Sequence, residues 1–205
     1  LTEKIVTVEE AASISRKAKD NGGKIVHCHG VFDLLHVGHL RHFDQAKALG
    51  DVLIVTITAD DHVNKGPHRP AFTQVLRAEA ISSLEQVDYV AINYTPTATF
   101  PIKQICPDFY VKGSDYKNAA EDRTGGISEE ENAVNSVSGK IVFTDDITFS
   151  SSALLNNYLP NFPTETVDYL RSFSSRFSIN SIHELLEDIS NLNVLVIGEA
   201  IIDEY

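Results

Sequence analysis

The chain has 205 residues, enough for one well-buried domain with an appendage, and its 17 Lys and Arg against 29 Asp and Glu give a net charge of −12. That balance argues against nucleic acid, whose binding depends on basic surface that releases counterions, and no apolar run reaches the ~20 residues of a membrane span. The polar N-terminus lacks a signal-peptide core, and two cysteines, Cys28 and Cys106, form no disulfide framework, so a reducing cytoplasm is expected.

A Thr with an acidic first turn and a Gly-Gly stop frames a helix over 7–23. KIVHCHG (24–30) reads as a short buried strand, with Cys28 a small apolar residue in it, handing over to a helix from about His36 to Leu49. DVLIVTITAD (51–60) is a second strand, residues 73–87 a helix, 87–94 a third strand and PIKQIC a short helix. Two more strands are expected at 108–113 and 139–145, separated by a polar, acidic excursion, NAAEDRTGGISEEENA. Apolar strands alternating with helices predict an α/β, Rossmann-like, doubly wound sheet of five parallel strands with helices on both faces, filling residues 1–156. Beyond it, residues 157–192 read as a Pro-punctuated helical linker with helices at 166–177 and 182–190. NVLVIGEAIIDEY (193–205) opens another buried strand, the expected start of a further domain.

Ligands of such sheets gather beyond the carboxyl ends of the strands, near the topological switch point. Four polar clusters fall at those ends: GVFDLLHVGH, ADDHVNKGPHRP, KGSDYK and DDITFSSS. His36 and His39 are three apart at a helix start and share a face. Gly38 between them lets a ligand approach the backbone, and the free N–H groups and dipole of the helix suit phosphate oxygens. Protonated imidazoles would also offset charge in a transition state. A zinc site is the weaker alternative, because a helical ligand pair is usually i,i+4 with an acidic third ligand, and no metal ligand is assigned. Packing alone stays open. Of the other histidines, His27 is expected as a hydrogen-bonded core residue, His29 near substrate and His42 as structural, with His68 undecided.

GVFDLLHVGH resembles the GxFDxxHxGH motif of the cytidylyltransferase-like nucleotidyltransferases, and the resemblance continues in KGPHRP, LRAEAISSLEQVDYV and VKGSDYK, over roughly residues 24–156. The combination is most similar to the adenylyltransferase part of the bifunctional heptose-phosphate kinase/adenylyltransferases of bacterial surface-sugar synthesis. The resemblance implies in-line attack of a substrate phosphate on the α-phosphorus of a nucleoside triphosphate carrying Mg²⁺, with release of pyrophosphate. ATP and D-glycero-D-manno-heptose 1-phosphate are the expected reactants. CTP with a polyol or amino-alcohol phosphate is the alternative, and a non-catalytic nucleotide-binding regulatory domain is an alternative of another class.

Carried onto this chain, the resemblance puts His36, His39, Lys65 and Lys112 on the reacting phosphates, with Gly30, Val31, Phe32 and Gly38 lining the nucleotide. Asp33 orients that loop rather than acting as a base, since a phosphate nucleophile is already ionised. Arg77, Arg69, His29 and Asp115 fall on the substrate side, and Ser150, Ser151 and Ser152 of TFSSSALL would bind nucleotide phosphates at a helix start. The plainer alternatives are solvated charges at Lys65, Arg69 and Lys112, a helix-surface cation at Arg77, and simple capping by the serines. RTGGIS (123–128) resembles an RTEGIS element of the glycerol-phosphate branch but precedes the 139–145 strand, so TFSSSALL is the better positional match. The C-terminal segment resembles the first strand of a ribokinase-like sugar kinase, with Asp203 at the sugar hydroxyls, in reversed domain order. A linked kinase domain and a homodimer are therefore expected partners, with no kinase activity in this chain alone.

Overall fold

Six parallel strands make the sheet in the computed structural model, which describes residues 2–65, 69–113, 127–144 and 163–189, with 192 and 198. They are β1 (Ile5–Val6), β2 (Ile25–Gly30), β3 (Val52–Thr58), β4 (Tyr89–Asn93), β5 (Phe109–Lys112) and β6 (Lys140–Phe143), in the order β1-β4-β3-β2-β5-β6. The doubly wound parallel sheet is as expected, but it has six strands rather than five. Ile5 and Val6 pair with Val90 and Ala91 as a parallel edge, and two residues are too few to show a period of their own.

The helices are α1 (Val8–Asp20), α2 (Val37–Lys47), α3 (Gln74–Ser82), α4 (Thr99–Ile105) and α5 (Ile127–Ser136). Thr7 starts α1 with a reciprocal capping box to Glu10. Alternation along the strands splits the core between two faces. Val26 and Cys28 of β2, with Leu53, Val55, Ile57, Val90 and Val111, pack under Phe43 and Ala46 of α2 and Ala78 and Ile81 of α3. Ile25 and Ile54 point the other way, against Ala11 of α1 and Ile105 of α4, and Tyr110 packs there with α4 and α5.

Helix α5 corrects a second expectation. Most of it, ISEEENA, falls in the run that reads as a polar excursion, yet Ala133 and the following Val134 are buried in the core. Two apolar anchors suffice once the acidic face is turned outward or paired. The chain runs from β2 outward through β3 and β4, then returns to β5 on the opposite side of β2. The switch point thus lies between Gly30 and Lys112, where the sequence clusters are expected to converge.

Contacts divide the chain into residues 1–154 and residues 155–205. In the second unit α6 (Thr164–Arg176) and α7 (Ile179–Ile189) match the two expected helices, and Leu185, Leu186 and Ile189 are exposed along α7. The strand expected at 193–205, and with it Asp203, falls outside the described residues except for Gly198. No helix among the described residues is long and apolar enough to cross a membrane.

Candidate functional site

The loop after β2 is held by side chains that pack on and hydrogen-bond to one another. A Cβ on Gly30 would meet the tip of the Phe32 ring at 3.0 Å, so the ring takes up space that a side chain there would fill. Phe32 itself has φ +48°, a left-handed backbone that costs an L-residue about 1–2 kcal/mol. It is held there by rings of Phe43 at 5.1 Å and His39 at 5.4 Å. Asp33 is buried, and its Oδ2 accepts from Arg69 Nε at 2.6 Å while Oδ1 accepts from the N–H groups of Ala71 and Phe72. It organises the loop, and Arg69, expected at substrate, is its partner. Arg69 Nη2 is nonetheless buried with no hydrogen-bond partner among the described residues.

Arg77 is only 2% exposed. Its guanidinium donates to Val31 O (2.6 Å), Thr58 O (2.8 Å), Phe72 O (3.0 Å) and Asp60 Oδ1 (2.6 Å). Neither expectation for this residue, a substrate contact or a surface cation, matches that position. A planar fork of donors satisfies carbonyls at the ends of β2 and β3 together, so Arg77 is a brace beneath the loop.

Above the brace, His36 is the N-cap of α2. Its Nδ1 accepts from Gly38 N at 3.2 Å, and His39 Nδ1 accepts from His36 N at 3.4 Å, a capping box made of two imidazoles. The rings stack with centroids 3.9 Å apart. Accepting at Nδ1 puts the proton of each neutral ring on Nε2. Burial, then the neighbouring His36, His42 and Lys65, lowers the His39 pKa to about 3, so this imidazole is neutral near pH 7. The His39 ring is thus a hydrogen-bonding group there rather than the cation expected of a protonated imidazole, and charge in its place must come from elsewhere.

Two lysines are available. Lys65 is exposed and its pKa is lowered, by desolvation first and then by Arg69. Lys112, at the end of β5, is 7% exposed and ion-paired with Glu130 of α5 at 2.8 Å. It is not the solvated charge of the plainer reading, and its carboxylate partner was not visible in the sequence because Glu130 sits in the run read as an excursion.

The strand histidines turn elsewhere. His27 Nε2 and His29 Nδ1 both lie 2.8 Å from Thr56 Oγ1 on β3, and His29 Nε2 is 3.3 Å from Thr58 Oγ1. Burial lowers both pKa values, that of His29 to about 3. His27 is the hydrogen-bonded core residue the sequence suggests, whereas both nitrogens of His29 meet threonines rather than an open surface. His42 Nδ1 meets Thr144 Oγ1 at 3.1 Å, a structural link from α2 to the end of β6. Asp115, Ser150, Ser151 and Ser152, and His68, lie outside the described residues.

The Cytidylyltransferase-like family matches residues 27–167. The bifunctional protein HldE of a Nitratiruptor species is 42% identical over 134 residues, covering 64% of this chain and 29% of that protein. HldE of Gluconobacter oxydans is 35% identical over 162 residues, 78% of this chain and 32% of that one. The chain thus spans about a third of the length of these relatives. Among solved structures, the lipopolysaccharide core biosynthesis protein from Thermoplasma volcanium superposes with a TM-score of 0.53 at 27% identity, over 62% of this chain and all of that one. Pantoate-beta-alanine ligase from Francisella tularensis superposes at 0.54 with 15% identity, over 91% of this chain and 84% of that one, a likeness of fold alone.

Proposed function

This chain belongs to the cytidylyltransferase-like family, and from that premise we propose that its sheet domain transfers a nucleoside monophosphate, AMP from ATP, to a sugar 1-phosphate. An acceptor phosphate oxygen attacks the α-phosphorus, the bond to the bridging oxygen of the β-phosphate breaks, and pyrophosphate leaves with the electron pair. Positioning and electrostatics do the catalysis, since the nucleophile needs no base.

The observation that carries this reading is the stacked His36–His39 pair at the start of α2, beside the switch point. It places two stacked imidazoles at a helix N-terminus, a donor type suited to phosphate oxygens, with His36 Nε2 itself buried. Lys65 and Lys112 supply cationic charge to the same phosphates, and the bracing of Val31 by Arg77 keeps the loop backbone fixed beneath the nucleotide. Mg²⁺ would arrive on the triphosphate. The nearby carboxylates Asp33 and Asp60 are ion-paired with arginines, and hard oxygen donors are not gathered around the imidazoles among the described residues.

Heptose as the sugar follows from the motif resemblance, and relatives named bifunctional protein HldE and a lipopolysaccharide core biosynthesis protein support it. A linked kinase domain is part of the same proposal, supported by the greater length of those bifunctional relatives. The test is pyrophosphate release with ATP or CTP across a panel of phosphorylated acceptors, the product being identified by mass spectrometry. A nucleoside diphosphate heptose formed from ATP is expected. Turnover only with CTP and a polyol phosphate would replace both substrates, and tight nucleotide binding without turnover on any acceptor would overturn the enzymatic reading.

A further inference from the structure

Lys112 ends β5 where the proposed reaction calls for a cation, yet its charge is already answered. Nζ stands 2.8 Å from Glu130 Oε2 and 3.2 Å from Oε1, with the two side chains 8% and 12% exposed. The Tyr110 ring lies 5.7 Å from the same nitrogen. Glu130 is delivered by packing, because α5 is fixed to the core through Ala133 and Val134. The carbonyl of Lys112 accepts from Thr144 N at 3.0 Å and Thr144 Oγ1 at 3.3 Å, and the same hydroxyl meets His42, one turn after His39 on α2. The main chain of Lys112 is therefore tied toward the helix that carries the imidazoles, while its ammonium is tied to α5.

A carboxylate so placed has two effects on an arriving phosphate. It fixes the ammonium in one place, and it competes for the same charge while repelling the anion, both strongly where water is scarce. We infer that Glu130 is a positioning residue that sets how strongly Lys112 engages the triphosphate, holding the ammonium in place and withholding part of its charge in the ground state. The inference rests on the phosphate-binding reading of the site and deepens it. It differs from a purely structural role in sign: removing the carboxylate tightens anion binding.

Calorimetric titration of the full chain with inorganic tripolyphosphate tests this directly. Glu130→Gln should bind roughly three- to tenfold more tightly than wild type, and Glu130→Asp, with a longer and weaker pair, by less in the same direction. In a Lys112→Met background the Gln substitution should change little. Where pyrophosphate release is measurable, Glu130→Gln should lower KM for ATP and kcat together, because the ammonium binds the ground state better but is no longer aimed. Should Glu130→Gln fail to fold, as judged by circular dichroism, the sign of the Asp effect decides. Unchanged or weaker tripolyphosphate binding in the folded variant would overturn the inference, as would equal tightening in the Lys112→Met background. Tripolyphosphate binding does not depend on an acceptor, so failure of turnover would count against the proposed function without touching this result.

Discussion

Two histidine pairs stand close together in the chain and have opposite fates. His27 and His29 on β2 are two apart, which in a strand puts both on one face, toward the hydroxyl of Thr56 on the neighbouring strand. His36 and His39 on α2 are three apart, which at a helix start stacks them where each ring accepts from one of the first N–H groups. The first pair knits two strands together. The second closes a helix N-terminus with groups that a phosphate can also use. What separates a brace from a binding surface is where the ring nitrogens are directed, and residue type alone does not show it. The cations repeat the contrast, with Arg77 bonded to carbonyls below the loop and Lys65 exposed beside it.

The sharpest way to break this contrast is at the helix pair. His39→Ala should lower kcat/KM for nucleotidyl transfer by about 10²–10³, while the lost cap costs stability only about 1 kcal/mol; pyrophosphate release and a denaturant melt read the two separately. Next in size, Arg77→Lys removes the planar fork that serves four oxygens and should destabilise by roughly 2–3 kcal/mol in urea unfolding, with activity following the folded fraction. Thr56→Val removes the hydroxyl shared by the strand pair and should cost about 1–2 kcal/mol of stability while leaving kcat near wild type. A loss of kcat comparable to that of His39→Ala would place the strand pair in the chemistry and erase the distinction.

A further effect is expected on pH. His29 and His39 have folded pKa values of about 3 against an ordinary 6.5, and His27 is also held well below it. Between pH 3 and 6.5 the unfolded chain therefore binds more protons than the folded one, so stability is complete above about 6.5 and falls as pH drops toward 3. Urea midpoints at about pH 7 and about pH 5 should show the loss, and His29→Gln should flatten it.

Much of the sheet could be read from the sequence, because β2, β3 and β4 are long apolar runs with turn residues at both ends. The HVGH spacing likewise placed His36 and His39 at a helix start. Local pattern failed where structure depends on distant partners. Ile5 and Val6 become a strand only by pairing with β4, and α5 is anchored by two apolar residues in an acidic stretch. Arg77 reads from sequence as a substrate contact or a helix-surface cation, until the ends of β2 and β3 bring Val31 and Thr58 carbonyls to it. Glu130 and Lys112 are eighteen residues apart in sequence, with no periodicity to join them. The left-handed backbone of Phe32 left one trace, the neighbouring Gly30 whose missing side chain makes room for the ring.

The contrast between the pairs is tested most directly by following the imidazole nitrogens by ¹⁵N NMR at neutral pH while tripolyphosphate is added to the ¹⁵N-histidine-labelled chain. The Nε2 signals of His36 and His39 should move together and saturate, with those of His27 and His29 unchanged. Movement of the strand pair with the helix pair still would contradict the account.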